Sequence, residues 1–197
     1  MNTLKAEKRS MDVKAKKLRR EGYVTGNLFG REIEGSIPLK FTKKEIEVLL
    51  KNNNKGSQVM LELDGKTYDA LIKEVDYNPL AHTVEEVDLQ ALVSNEMVHS
   101  VAEIILENEE LVVSGVLQDE LKEVAYKALP ADLVDKIKVN VAGMKIGDTL
   151  RVKDLEIAKN KNIHITTDME AVIATVTPVH NVVPETETET EDTAEEK

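Results

Sequence analysis

The chain has no cysteine and no tryptophan. Without thiols there are no disulfides, no thiolate-held metal and no cysteine nucleophile, and the absence fits a reducing cytoplasm. Aromatic residues number six in 197: Tyr23, Phe29, Phe41, Tyr68, Tyr77 and Tyr126. A core must therefore be built from Val, Leu and Ile, and a surface that stacks on nucleic-acid bases has few platforms. No run of about 18 apolar residues occurs, so no membrane span is expected. The opening MNTLKAEKRS lacks the apolar stretch of a secretory signal. The four histidines, His82, His99, His164 and His180, are never at i, i+2 or i+4, so no local metal clip exists and no metal site is expected. No phosphate loop and no nucleophile elbow is present.

What is present is a soluble globular composition, 41% hydrophobic and 32% charged, long enough for one large or two small domains. The formal charge of −11 is unevenly spread. Residues 1–31 carry nine Lys or Arg against three acids, a net of +6. Residues 91–184 carry −6, and the tail 185–197 another −6. A basic end on an acidic chain points to a localised contact with a polyanion. The bases concerned are Lys14, Lys16, Lys17, Arg19, Arg20 and Arg31; arginine in particular forks onto phosphate oxygens.

Residues 4–21 read as one short amphipathic helix, or a loop and a helix. Gly22, Gly26 and Gly30 suit tight turns and close backbone approach around a short strand. IEGSIPL, 33–39, reads as a strand with Pro38 at an edge or end. Thr42 and Glu45 form a capping box ahead of an apolar face of Ile46, Leu49 and Leu50. Asp64-Gly65 between two apolar-rich runs is a hairpin signal. VEEVDLQALV follows as a strand. On a regular strand Glu86 and Asp88 share one face and Glu85 takes the other, so these carboxylates are expected to be solvated rather than catalytic. After residue 92 the chain reads as short strands: HSVAEIIL, ELKEVAYKAL, KIKVNVAG, TLRVKDL, NIHIT and EAVIATVTP. PADLVDK makes a turn or a single helical turn. Such spacing predicts an all-β sandwich or barrel-like domain. The Thr/Glu tract at the end has no packable face and is expected to be disordered.

Four stretches carry a resemblance. LRREGYVTGNLFG (18–30), ALIKEVDYNP (70–79), VEEVDLQALV (84–93) and LPADLVDKIKVNVAGMKIGDTLRVKDLEI (129–157) together, in order, resemble a bacterial family of 5S rRNA-binding ribosomal proteins. That family is large-subunit protein twenty-five, in its long two-domain form, also called general stress protein Ctc. The likeness runs over about residues 3–178. It implies a mainly β fold with a few short helices: an N-terminal β-barrel at 1–92, a C-terminal all-β domain at 93–181 and an acidic tail at 182–197. It implies no catalysis and no cofactor, a cytoplasmic and ribosome-associated location, and as partners 5S rRNA, the large subunit and neighbouring ribosomal proteins. Arg9 and Arg19 match basic positions that the family uses against 5S rRNA, Arg20 is their neighbour, and Asp88 matches an aspartate of its site. Phe29 would pack under or stack on that site, and Lys73 joins the nearby bases. Four positions depart from the pattern: Phe29 replaces tyrosine, Asp76 glutamine, Asn78 histidine and Glu86 histidine. The alternative is a general stress paralogue that kept the fold, weakened or lost rRNA binding, and acts through protein partners.

Overall fold

The computed structural model describes residues 3–178; the tail expected at 182–197 lies outside them. Six strands close a barrel: β1 (Thr3–Lys8), β2 (Tyr23–Phe29), β3 (Ser36–Thr42), β4 (Gln58–Leu63), β5 (Lys66–Asn78) and β6 (Thr83–Ala91). Their order around it is β1-β3-β2-β6-β5-β4, and β1 pairs in parallel with β4 to shut the ring. Alternation does the sorting: along QVMLEL, every second residue is buried. Leu28, Leu39, Phe41, Leu61, Ile72 and Leu89 fill the interior, an aliphatic core with one phenyl ring among them.

Two helices accompany the barrel, α1 (Ala15–Arg20) and α2 (Lys43–Leu50). Half of the capping box forms at α2: Thr42 Oγ1 accepts from the Glu45 N–H, but the Glu45 carboxylate accepts from the Thr42 hydroxyl rather than its backbone N–H; Ile46 and Leu49 turn inward. Asp64 and Gly65 both have positive φ, 51° and 76°, and join β4 to β5 as a hairpin. The helix expected within 4–21 is only partly realised. Residues 3–8 are a strand instead, because parallel pairing with β4 satisfies their backbone from far along the chain. A lone buried Leu4 inserts into the core. Pro38 is the third residue of β3, just past the last β1 pair at Lys8, and on that flank its carbonyl accepts from the Arg9 N–H at 2.9 Å while the ring offers no donor.

From Val98 onward a second β unit forms. It comprises β7 (Val98–Glu107), β8 (Val116–Asp119), β9 (Glu123–Ala128), β10 (Lys136–Asn140), β11 (Thr149–Arg151), β12 (His164–Ile165) and β13 (Val172–Thr177). One sheet runs β10-β7-β9-β12 and the other β11-β13-β8, with Ala102, Ile104, Val124, Tyr126, Ile173 and Ala174 between them. PADLVDK opens with the single helical turn Pro130–Asp132. TLRVKDL is shorter as a strand than its pattern suggests. Asp154 accepts from the Arg151 N–H at 3.0 Å and folds 152–154 into a helical turn that buries Val152.

The two units meet through the 52–57 loop. Gly56, at φ 89°, is required there: a Cβ would stand 2.0 Å from the Val101 carbonyl oxygen. Ser57 Oγ donates to Asp135, Asn54 Nδ2 to Glu103, and Lys73 Nζ to the His99 carbonyl at 2.8 Å.

Candidate nucleic-acid interface

Helix α1 is short because little holds it. Lys14 provides no side-chain cap, and Gly22 at φ 87° ends it one turn after Leu18, its buried anchor. Five of the eight residues from 14 to 21 are Lys or Arg, and Lys14, Lys16, Lys17 and Arg20 face solvent. Of these, Lys17 reaches Glu21 at 3.8 Å, an exposed contact of small energetic weight. Arg31 is exposed too, but it follows the far end of β2. Seven residues of strand put it about 20 Å from α1. The basic island of the sequence is therefore split in space.

Arg19 does not join the exposed set. Its side chain is 31% exposed and turned onto β6. Nη1 lies 2.9 Å from Glu85 Oε2, Nη2 lies 3.6 Å from Glu86 Oε2, and Nε donates to the Glu85 carbonyl at 3.2 Å. Alternation along β6 predicted Glu85 and Glu86 on opposite faces and in solvent. The structure corrects this. Asp76 pairs with Glu86 while Tyr77 pairs with Val84, so Glu85 is the extra residue of a β-bulge. A bulge breaks the alternation and brings both carboxylates to the same side. Arg19 Nε and Thr25 Oγ1 both donate to the Glu85 carbonyl. Asn78 Nδ2 holds Glu85 Oε1 at 2.7 Å, while Asn78 Oδ1 accepts from the Leu80 and Ala81 N–H groups.

Asp88, also expected at the interface, is bound to β2. Its Oδ1 accepts from the Asn27 backbone N–H and from Asn27 Nδ2, both at 3.1 Å. This pairing depends on close strand approach at Gly26, whose Cβ would stand 2.0 Å from the Val87 carbonyl oxygen. Arg9 donates from Nη2 to the Val13 carbonyl, and its Nε is buried without a partner. Phe29 is half-buried on the same outward face as Thr25 and Asn27, but four residues beyond Thr25, about 13 Å along β2. It therefore does not lie under Arg19. Lys73 stands apart, at the junction with the second β unit.

The outer barrel face beside Arg19 is acidic. Cross-strand pairs Asp76–Glu86 and Glu74–Asp88 set four carboxylates around one shallow depression. Burial, with Asp88 and Asp76 nearby, pushes the Glu86 carboxyl above its ordinary value, while Arg19 and Arg9 pull it down. Two of the four, Asp76 and Glu86, are departures noted in the sequence. The role of Glu85 escaped sequence reasoning, since nothing in VEEVD marks a bulge. Among the described residues no group of three or more His, Cys, Asp or Glu is placed to hold a metal ion. No helix among them is long and apolar enough to cross a membrane.

The chain folds as a small closed barrel with an exposed basic helix at one end, carried with a second β unit, and a ribosomal-protein family model matches each of the two. The Ribosomal L25p family matches residues 4–89, and the C-terminal domain of ribosomal protein TL5 matches 97–180. The chain belongs to the L25 family of ribosomal proteins, in its long two-domain form. It is 31% identical over 190 residues to the large ribosomal subunit protein bL25 of Carboxydothermus hydrogenoformans, covering 92% of this chain and 94% of that one. The bL25 of Caldanaerobacter subterraneus subsp. tengcongensis is 29% identical over 98% of both chains. That of Bacillus velezensis is 29% identical over 183 residues, 90% of this chain and 89% of its own. The family is structural and not enzymatic.

Proposed function

We propose that this protein is a structural constituent of the large ribosomal subunit that binds 5S rRNA through the α1 end of its barrel, in the cytoplasm. Family membership supports the ribosomal role. The observation that carries the RNA contact is α1 itself: four exposed bases, Lys14, Lys16, Lys17 and Arg20, on a chain that is acidic overall. They supply phosphate contacts, which set affinity and orientation rather than sequence choice. Arg9 and Arg19 lie behind them. In the free protein Arg19 is engaged by Glu85 and Glu86, so for it to reach a phosphate it must exchange carboxylates for phosphate oxygens. Arg31, Phe29 and Lys73 are too far from α1 to share one phosphate cluster with it, and Asp88 serves by holding Asn27.

A titration of labelled 5S rRNA with the full chain at several KCl concentrations tests this. Affinity should fall steeply with salt, and Lys16→Gln with Arg20→Gln should lower the log–log slope by about 1.4–1.8, at 0.7–0.9 per lost contact. Absence of salt-sensitive binding at micromolar protein would sink the proposal. The captured Arg19 and the acidic face beside it favour a second reading, a relative with weakened RNA affinity that acts through protein partners. Ribosome pelleting separates the two: stoichiometric recovery in assembled large subunits excludes the second.

A further inference from the structure

The second β unit is acidic in sum, yet one row of bases crosses it. On β7, His99, Val101 and Glu103 point away from the core, and on β9 Lys127, Ala125 and Glu123 lie directly across from them. On β12, His164 lies across from Lys127. Strands are about 4.8 Å apart, so His99, Lys127 and His164 form a row about 10 Å long. The barrel covers the other two rows. Gly56 packs on Val101, Asn54 binds Glu103, and Lys55 lies 4.0 Å from Glu123. The basic row is left uncovered at the edge of that contact.

Lys73 extends the row from the barrel side. On β5, Ile72 pairs with Leu89 and Glu74 with Asp88, so Lys73 is the unpaired residue of a bulge. The bulge re-aims its side chain into the cleft between the two units. There its Nζ finds a neutral partner, the His99 carbonyl, rather than a carboxylate. Lys55 and Glu74 also line this cleft. Burial and Lys55 push the Lys73 ammonium toward its neutral form, and burial, Lys127 and Lys73 do the same to the His99 imidazole. Burial is the larger cause at both groups, and the neighbouring bases add to it.

We propose that Lys73, His99, Lys127 and His164 form a second phosphate-contact row, which takes a stretch of RNA sugar–phosphate backbone running past the junction of barrel and second β unit. The row rests on the reading of the chain as an rRNA-binding protein, and it gives the acidic half a direct part in that binding. Lysines meet phosphates as point charges, and the two imidazoles donate to phosphate oxygens once protonated.

The same 5S rRNA titration over KCl, run with Lys73→Gln plus Lys127→Gln, tests the row. The slope should fall by about 1.4–1.8, with α1 intact. If the α1 variant lowers the slope and the row variant does not, the row is refuted and the α1 site stands. If the unaltered chain shows no salt-sensitive binding, both fall. A second readout needs no variant: the ring resonances of His99 and His164, followed through a pH titration with and without saturating RNA. At His99 a phosphate beside the ring should shift the titration to higher pH, against burial and the opposing pull of Lys127 and Lys73. Unmoved titrations would overturn the row.

Discussion

Replacing Glu86 with Gln should strengthen RNA binding. Arg19 is held by two carboxylates and a carbonyl, at 2.9, 3.6 and 3.2 Å, on side chains about a third exposed. A pair so placed is worth on the order of 0.5–1 kcal/mol after desolvation and screening. Glu86→Gln removes the longer contact and one negative charge from the surface offered to phosphate, yet leaves the bulge and the Glu85 pair in place. A gain of about 1 kcal/mol corresponds to roughly fivefold tighter binding. Glu85→Gln is a poorer probe, because Glu85 also anchors Asn78 and the loop beyond it. The pH dependence follows from the same group. Burial and the neighbouring Asp88 and Asp76 raise the Glu86 pKa, so the folded chain takes up this proton before an unfolded chain would. Charge on Glu86 is thus a cost to folding above that range, relieved as pH falls through the raised pKa. RNA affinity of the unaltered protein should rise over the same interval, and the rise should be smaller in Glu86→Gln. Fluorescence anisotropy at fixed salt, between neutral pH and the upper carboxylate range, measures both. If Glu86→Gln binds no better, with unchanged circular dichroism, Arg19 is not limited by its carboxylates and the reasoning fails.

Three stability predictions follow from the geometry. Gly26→Ala should cost about 3 kcal/mol or more, because a Cβ 2.0 Å from the Val87 carbonyl forces β2 off β6; urea denaturation reads it. Tyr126→Phe should cost about 1–3 kcal/mol: its buried hydroxyl donates to the Val134 carbonyl at 2.7 Å and accepts from the Val134 N–H at 2.8 Å, and both lose their partner. Thermal unfolding that matches the unaltered chain would contradict this. Thr42→Ala should cost about 1 kcal/mol through the lost α2 cap, with little effect on RNA binding.

Local chemistry was readable wherever one residue's neighbours in sequence are also its neighbours in space. The Thr42 cap of α2, the Asp64-Gly65 hairpin and the inward alternation of β4 all belong here. The segment 3–8 has a helical pattern yet forms a strand, because its backbone partners are in β4, more than fifty residues on. The strand TLRVKDL ran too long because a single aspartate folds its end into a turn.

The sequence alone determined that this is a mainly β chain with an aliphatic core, a basic start and an acidic remainder, because composition and periodicity need no partners to be meaningful. It also contained the family likeness, carried by ordered motifs. Tertiary structure decided which of those bases are available. Two bulges, at Glu85 and Lys73, break the two-residue period that pattern reading assumes. One brings both glutamates onto Arg19, and the other sends a lysine to the junction with the second β unit. A bulge is a mismatch between two strands, so it exists only once they have paired, and neither strand alone encodes where its charges will point.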